Sequence, residues 1–283
     1  MLLLKSIYLR GRFMKNKQIA HIVGLLILVI SLSGCSEYNK ILKSNDYPLK
    51  YEKAKEYYNN GDCYKALPLF EELMTFYRLT DKGEDVYYYY ANTQYCLKEY
   101  YLASYYFKRF TKNYPNSSRA EECGFNAAVC SMKASPEWYL DQSDTYDAID
   151  EFQIFMNRYP NSGLVDSCNN MIKGLRGKLE RKSFEQAKLY FKMSKYRSAV
   201  ISFNTTLEQF PDTDYREEIL FLIVKANFSF AMNSVDAKKQ ERFEDTIDSY
   251  HTFVDSFGQS TYVNQAERFY NSSVKELNNI KEG

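Results

Sequence analysis

Small and aromatic residues recur along the chain in a pattern that is repeated five times. In each copy an aromatic residue follows a small residue at a spacing of four, and a second aromatic residue follows at a further spacing of seven. These spacings place the side chains on one face of an α-helix, and in four of the five copies a proline or glycine after the second aromatic residue ends that helix. The copies are Ala66–Phe70–Tyr77, Ala103–Phe107–Tyr114, Ala148–Phe152–Tyr159, Ala199–Phe203–Phe210 and Thr246–Tyr250–Phe257.

A further helical segment precedes each copy, so the chain is predicted to consist of helix pairs. In the first pair Ala54 and Tyr58 lie on one helical face, and Asn60-Gly61 forms the turn to the second helix. This arrangement resembles the tetratricopeptide repeat, a helix pair of roughly 34 residues. Repeats of this kind stack, and about three are enough for a stable array. We therefore predict an all-α solenoid of five tetratricopeptide-like helix pairs plus a C-terminal capping helix.

The copies are spaced more widely than the tetratricopeptide period, and the excess residues have predicted places. We expect an insertion loop at 135–144 and another at 233–240. The stretch up to Met193 is predicted to be one long helix, or two helices joined near Gly177. The repeat domain covers 48–283, and its predicted repeats are about 48–80, 81–115, 116–160, 161–211 and 212–258, with a cap at 259–283.

The N-terminal segment has the organisation of a lipoprotein signal peptide. A basic stretch from Met14 to Lys17 precedes an apolar run over 22–32. This run is a signal-peptide core rather than a membrane span, which takes about 20 apolar residues. It ends in Leu32-Ser33-Gly34-Cys35, which resembles the lipobox of bacterial lipoproteins. We predict a signal peptide at 1–34, with 1–13 as a start-site extension, and a lipid that includes palmitate on Cys35. The alternative is an ordinary buried cysteine.

The residues after Cys35 predict where the anchored protein resides. Ser36 rather than aspartate follows the cysteine, which by resemblance to sorting rules in diderm bacteria favours the outer membrane over the inner membrane. Residues 35–47 are predicted to be a lipidated polar tether, with the repeat domain on the periplasmic face. Outer-membrane lipid is thus an expected partner through the anchor.

Charge and composition exclude several classes of function. The net charge is +1, but the basic signal segment holds the positive excess, which leaves a mildly acidic body. Such a body offers no basic surface for nucleic acid, so none is expected as a partner. The body contains a single histidine, His251, and no phosphate loop, nucleophile motif or metal-ligand motif. We expect no enzyme activity, no catalytic residues, no metal, and no cofactor besides the lipid on Cys35.

The cysteines and tyrosines supply further candidates. Cys63 and Cys96 lie at helix ends that antiparallel packing would bring together. We therefore hypothesise a contact between them, which could be a disulfide bond. The alternative is that the cysteines are small buried hydrophobic residues. First helices of such solenoids line a concave groove. The consecutive tyrosines at 87–90 point around their helix, so some must face that groove. Exposed tyrosine suits peptide binding, and core packing is the alternative. The groove candidates are Tyr57, Tyr58, Tyr87 and Tyr90.

Together these features resemble the BamD (YfiO) family, the tetratricopeptide lipoproteins of the outer-membrane β-barrel assembly machinery. The phrases that carry the resemblance are the helix from Phe107 to Ser117, Tyr159-Pro-Asn-Ser162 and Phe210-Pro-Asp-Thr213. The chain departs from the family in lacking proline after Tyr77, in having Gly258 in the last repeat and in its high tyrosine content.

The resemblance implies a scaffold without enzyme activity. Its N-terminal repeats would recognise unfolded outer-membrane barrel proteins, and its C-terminal repeats would dock BamA, the barrel subunit, near Arg216. The alternative is another lipid-anchored tetratricopeptide adaptor of the cell envelope, serving a division or glycan-uptake complex. Known glycan-binding lipoproteins with such repeats are much longer and carry a separate ligand domain, which weighs against that alternative.

Overall fold

The computed structural model describes residues 37–282, and within that range it contains α-helices and no β-strand. The all-α prediction is confirmed. The signal peptide, Cys35 and Ser36 lie outside the described residues. Residues 37–43 are helical, and the named helices follow as α1 (Tyr47–Asn59), α2 (Cys63–Phe76), α3 (Gly83–Cys96), α4 (Tyr100–Asn113), α5 (Ala120–Ala134), α6 (Ser143–Arg158), α7 (Val165–Lys192), α8 (Tyr196–Gln209), α9 (Arg216–Met232), α10 (Asp236–Phe257) and α11 (Val263–Glu282).

The helices belong to two compact units that meet in sequence between Ala134 and Ser135. The N-terminal unit contains residues 37–43 and α1 to α5, and the C-terminal unit contains α6 to α11. In both units consecutive helices pack against each other as pairs. Each unit is therefore built from packed helix pairs, as predicted, and α11 is the additional helix at the end of the C-terminal unit.

Local signals determine where the first helices of the N-terminal unit begin and end. The side chain of Asp46 accepts a hydrogen bond from the backbone N–H of Leu49 at 3.0 Å, and Pro48 occupies the first turn of α1. After α1 the chain turns at Gly61, whose φ of 80° is unfavourable for other residues. The small residues of the repeated pattern and the first aromatic residue of its first four copies, such as Ala103 and Phe107, are completely buried between helices. The pattern therefore describes packing.

The C-terminal unit is built from longer helices. α7 is one continuous helix through Gly177, so the first of the two alternatives for this stretch is the correct one. The predicted insertion at 233–240 is wrong in its extent, because α10 begins at Asp236 and leaves a short turn after α9. The extra residues lengthen α10, and in its first turn Asp236 forms an ion pair with Lys239 at 2.9 Å.

The loop predicted at 135–144 is present between α5 and α6 but ends earlier, because α6 begins at Ser143, and side chains of α7 hold it in place. The ammonium group of Lys178 donates to the side-chain oxygen of Ser135 at 2.7 Å and to the carbonyl oxygen of Pro136 at 2.8 Å. The guanidinium of Arg181 lies 4.5 Å from the ring centre of Trp138. The C-terminal unit therefore includes this loop as an ordered part.

The predicted tether is partly folded. Residues 37–43 are helical, and Ile41 is buried in the same hydrophobic core as α1 and α2. The ring of Tyr38 packs edge-on against the ring of Tyr57 at 5.6 Å. Sequence reasoning missed this segment because it is too short to show helical periodicity. Along its described part, the expectation of a simple polar tether is therefore wrong.

The hypothesis of a contact between Cys63 and Cys96 is confirmed, because the two residues form a disulfide with a Cα–Cα distance of 6.3 Å. The bond joins the start of α2 to the end of α3. The alternative interpretation holds for Cys123, Cys130 and Cys168, which are buried free thiols.

Within the described range, none of the helices combines the length and apolar character needed to cross a bilayer.

Candidate functional site

The consecutive tyrosines of α3 divide between the core and a partly open surface. Tyr87 and Tyr90 are 8% and 6% exposed, and both pack edge-on against Tyr106 of α4, with ring centres 5.9 and 4.6 Å away. Burial raises the pKa of each hydroxyl to about 12. These two residues support the packing of α3 against α4, so their prediction as open groove residues is wrong.

Tyr57 and Tyr58, the candidates on α1, remain partly exposed. Tyr57 packs against Tyr38, and the ammonium group of Lys65 lies 5.4 Å from the centre of its ring. Tyr58 packs edge-on against Tyr89 of α3 at 5.5 Å, and burial raises its pKa. Tyr58 thus connects α1 with α3 at the surface.

Two tyrosines that the sequence did not single out complete this surface. Tyr89 stacks on Phe70 at 5.6 Å with nearly parallel rings. The hydroxyl of Tyr88 donates a hydrogen bond to the carboxylate of Glu122 at 2.8 Å. The guanidinium of Arg119 lies 4.4 Å from the centre of the Tyr88 ring. Tyr87 and Tyr90 are three positions apart and therefore share one face of α3. Tyr88 and Tyr89 lie between them in sequence and point to a different side of the helix.

Charged groups connect the first helices of successive pairs. Tyr51 of α1 hydrogen-bonds Asp85 of α3, and Arg119 at the start of α5 pairs with the same carboxylate at 2.5 Å. Each step spans 34 residues, which matches the tetratricopeptide period. We define the aromatic face as Tyr58, Tyr88 and Tyr89 together with Lys55 and Arg119; Tyr51, which is 6% exposed, packs beneath it.

The aromatic face combines ring surface with cations and hydrogen-bonding groups. The ammonium group of Lys55 lies 4.9 Å from the ring centre of Tyr51 and 5.5 Å from that of Tyr89. Rings with polar tips supply contact area at a low cost in side-chain entropy. Such a surface suits an extended polypeptide that carries aromatic and polar side chains. The spacing of 34 residues between Tyr51 and Asp85 is the signal in the sequence that could have identified the aromatic face.

Arg216 is the first residue of α9 in the C-terminal unit. Its side chain is exposed and donates to the carbonyl oxygen of Pro211 at 3.4 Å. No acidic side chain of the described residues forms an ion pair with it. Its guanidinium is therefore available to a carboxylate of another protein.

The described residues contain no cluster of histidine, cysteine and carboxylate side chains that could hold a metal ion. The rings of Tyr250 and Tyr270 stack on each other at 4.6 Å, and His251 packs edge-on against both, with each ring centred 5.5 Å away. Burial raises the pKa of the Cys123 and Cys130 thiols to about 12, so both are protonated at neutral pH and unsuited to act as nucleophiles.

The chain matches a known protein family and is similar to two named proteins. Residues 45–243 match the YfiO family, which is described as outer membrane lipoprotein. A candidate outer membrane protein assembly factor BamD of Aquifex aeolicus (strain VF5) is 25% identical over 263 residues, which is 91% of this chain and 85% of that protein. The outer membrane protein assembly factor BamD of Caulobacter vibrioides is 20% identical over 221 residues, which is 77% of this chain and 72% of that protein.

Among solved structures, the chain is similar to the TPR2AB domain of yeast Sti1 in a pHSP90 complex. The two share 13% sequence identity and a TM-score of 0.39, over 81% of this chain and 98% of that one.

Proposed function

Because the chain belongs to the YfiO family of outer membrane lipoproteins, we propose that it is a scaffold of the machinery that assembles outer-membrane β-barrel proteins. The relatives that carry the name of an outer membrane protein assembly factor match most of the chain. They are described as assembly factors and not as enzymes. The lipid on Cys35 would hold the repeat domain at the periplasmic face of the membrane, where barrel proteins arrive unfolded.

The aromatic face is the observation that carries the substrate part of the proposal. Unfolded barrel strands alternate aromatic or apolar residues with polar ones. Partly exposed rings such as Tyr58 and Tyr88 can take up the apolar side chains, and Lys55 and Arg119 can bind the polar groups. Binding would be weak at each position and would add up along an extended segment.

The C-terminal unit carries the docking part of the proposal. Arg216 is exposed at the start of α9 and can form a bidentate pair with a carboxylate of a BamA-like barrel subunit. An exposed charge of this kind contributes more to orientation and association rate than to affinity. The proposed partners are therefore a BamA-like protein at the C-terminal unit and unfolded outer-membrane proteins at the N-terminal unit.

Purification of the full lipoprotein from detergent-solubilised outer membrane tests the scaffold function. We expect a BamA-like barrel protein among the co-purified proteins, and Arg216→Glu should reduce its recovery several-fold while Lys195→Glu, a charge reversal at the start of α8, should not. Absence of any barrel subunit would contradict the proposal. Recovery of division or glycan-uptake proteins instead would favour the alternative envelope adaptor.

Site-specific photo-cross-linking tests the aromatic face. A photoreactive phenylalanine analogue at Tyr58 or Tyr88 should capture nascent barrel proteins in cells. The matched control is Tyr64 on α2, which is 83% exposed and lies outside the aromatic face. Equal capture at Tyr64 would argue against the aromatic face as the binding surface.

Cys35→Ala tests the anchor separately. This variant should lose palmitate labelling and move to the soluble fraction, and persistent labelling would contradict lipidation at Cys35.

A further inference from the structure

A pocket separate from the aromatic face lies between the C-terminal ends of α2 and α4, above the first turn of α3. Its volume is about 640 Å³, and it is open to solvent on one side. None of its lining residues belongs to the aromatic face, and we call it the α2–α4 pocket. The close approach of α3 to the end of α2 shapes it. A Cβ atom on Gly83 would lie 2.6 Å from the carbonyl oxygen of Tyr77, so only glycine fits there.

The charge of the α2–α4 pocket is positive. Arg78 and Arg109 line it, and no aspartate or glutamate does. Neither arginine forms an ion pair with a described residue, and Arg109 donates one hydrogen bond to the hydroxyl of Tyr105 at 2.9 Å. The carboxyl ends of α2 and α4 oppose this charge with roughly half a negative unit each. Two full positive charges exceed that opposition, so an anion is favoured.

A buried hydroxyl in the α2–α4 pocket lacks a protein partner. Tyr87 lines the pocket with 8% of its surface exposed, and within the described part of the chain its hydroxyl has no hydrogen-bond partner. Arg109, Tyr106 and Tyr114, which also line the pocket, are among the groups whose charges influence the pKa of Tyr87. The ring of Tyr87 also packs edge-on against Tyr106 at 5.9 Å and Tyr114 at 6.2 Å, so it lies among the side chains that line the pocket. Buried polar groups normally have a partner, so an acceptor from a ligand would satisfy it.

The rim of the α2–α4 pocket is apolar. Leu79 is 94% exposed at its edge, and Met74 and the ring of Tyr106 form part of its wall. A small inorganic anion would leave these groups unused. A segment that alternates carboxylate and apolar side chains would bind the arginines and cover the rim at the same time. Asn113 offers an amide for the backbone of such a segment.

We propose that the α2–α4 pocket binds an acidic peptide segment of a partner protein, with a side-chain carboxylate held by Arg78, Arg109 and the Tyr87 hydroxyl. The site differs from the aromatic face in its residues and in its preference for negative charge. The proposal stands whether or not the aromatic face binds unfolded barrel proteins, because it rests on other residues.

Calorimetric titration of the full lipoprotein in detergent tests this site. The probe is a short peptide of alternating glutamate and leucine, blocked at both ends so that no terminal carboxylate is present. The matched probe carries glutamine in place of glutamate. We expect the glutamate peptide to bind at least about tenfold more tightly, since charged hydrogen bonds carry the affinity. Equal affinity of the two peptides, or no binding of either, would overturn the proposal.

Variants locate the binding. Tyr87→Phe should lower the affinity for the glutamate peptide about tenfold. The double variant Arg78→Gln with Arg109→Gln should abolish binding of this peptide. Lys112→Gln, which removes an exposed charge elsewhere on α4, should leave binding unchanged. Tyr90→Phe is the control for loss of a buried hydroxyl, because Tyr90 is hydrogen-bonded to Tyr106. Unchanged binding in both pocket variants would overturn the proposal.

Two further measurements distinguish an acidic-peptide site from a hydroxyl satisfied within the protein and from a phosphate site. Without peptide, Tyr87→Phe should keep or raise the melting temperature, whereas Tyr90→Phe should lower it, because only the second removes an existing hydrogen bond. A drop of equal size in both would mean that the Tyr87 hydroxyl is already satisfied. Inorganic phosphate is the second probe. Tight phosphate binding that depends on Tyr87, without binding of the glutamate peptide, would overturn the acidic-peptide assignment.

Discussion

Tyrosine and phenylalanine are distributed in opposite ways over the two compact units. Residues 37–134 contain 17 tyrosines and 5 phenylalanines, whereas residues 135–282 contain 9 tyrosines and 13 phenylalanines. In the C-terminal unit Phe184, Phe203, Phe221 and Phe253 form the buried core. In the N-terminal unit many rings reach the surface, where their hydroxyls meet carboxylates such as Glu122.

This difference shows how one helix-pair pattern serves two purposes. A phenylalanine core needs no polar partner and can be covered completely. A tyrosine packs with its ring and still requires a partner for its hydroxyl, so it favours positions near the surface. The N-terminal unit therefore carries both the aromatic face and the α2–α4 pocket, and it has a disulfide as an additional crosslink.

The largest expected effect comes from removing a ring at equivalent positions of the repeated pattern. Phe107→Ala in the N-terminal unit and Phe203→Ala in the C-terminal unit should each cost about 3–5 kcal/mol, because both rings are completely buried. Trp138, the single tryptophan, belongs to the C-terminal unit, so its fluorescence reports on that unit. We expect Phe203→Ala to move the fluorescence transition and Phe107→Ala to move mainly the circular-dichroism transition. Identical shifts in both signals would contradict separate stabilities of the two units.

Removal of the disulfide should have the next largest effect. Cys63 and Cys96 are 33 residues apart, and closing a loop of that length stabilises by about 3–4 kcal/mol in the chain-entropy treatment. Cys63→Ala with Cys96→Ala should lower the melting temperature of the N-terminal unit and leave Trp138 fluorescence unchanged. Reductant should reproduce the shift in the natural protein and add nothing in the double variant. Lack of any shift with reductant would mean that the bond is not formed in solution.

The loop of the C-terminal unit should respond more weakly. Lys178→Met keeps the side-chain length but loses the hydrogen bonds to Ser135 and Pro136, which should cost about 1–2 kcal/mol at this partly buried site. Hydrogen exchange of residues 135–142 should accelerate, and Trp138 fluorescence should shift. Lys173→Met on the same helix is the control, since Lys173 is exposed. Similar exchange in both variants would refute the role of Lys178 in holding the loop.

Tyrosine ionisation should have the smallest effect on stability, because it changes the stability of the folded chain only at alkaline pH. Burial raises the pKa of Tyr87 and Tyr90 to about 12, whereas unfolded tyrosine titrates near pH 10. Between these values the unfolded chain releases protons that the folded chain retains, so stability falls as pH rises. The buried thiols of Cys123 and Cys130 act in the same direction.

Alkaline unfolding should therefore begin in the N-terminal unit, as followed by tyrosine absorbance, before Trp138 fluorescence changes. Tyr87→Phe with Tyr90→Phe should move its onset to higher pH. An onset that first appears in Trp138 fluorescence would reverse the comparison between the units.

Much of the fold could be predicted from the sequence, and much less of the site. The helix pairs, the loop after Ala134 and the meeting of Cys63 with Cys96 followed from spacing and turn residues. The tyrosine run predicts Tyr87 and Tyr90 as groove residues, but the structure buries both and leaves Tyr88 and Tyr89 partly exposed. The segment at 37–43 and the extension of α10 to Asp236 were missed, because short segments and polar helix starts show little periodicity.

The sequence by itself determined that the chain forms amphipathic helix pairs, since the spacing of small and aromatic residues is a local property of each helix. Its repeats also indicated the family that residues 45–243 match. Only the tertiary structure decided which side of α3 faces α4. The tyrosines at 87–90 point in several directions around α3. Tyr106 of α4 packs against Tyr87 and Tyr90, so these are the two rings that become buried. The aromatic face and the α2–α4 pocket remain accessible to solvent after α3 has packed against α4.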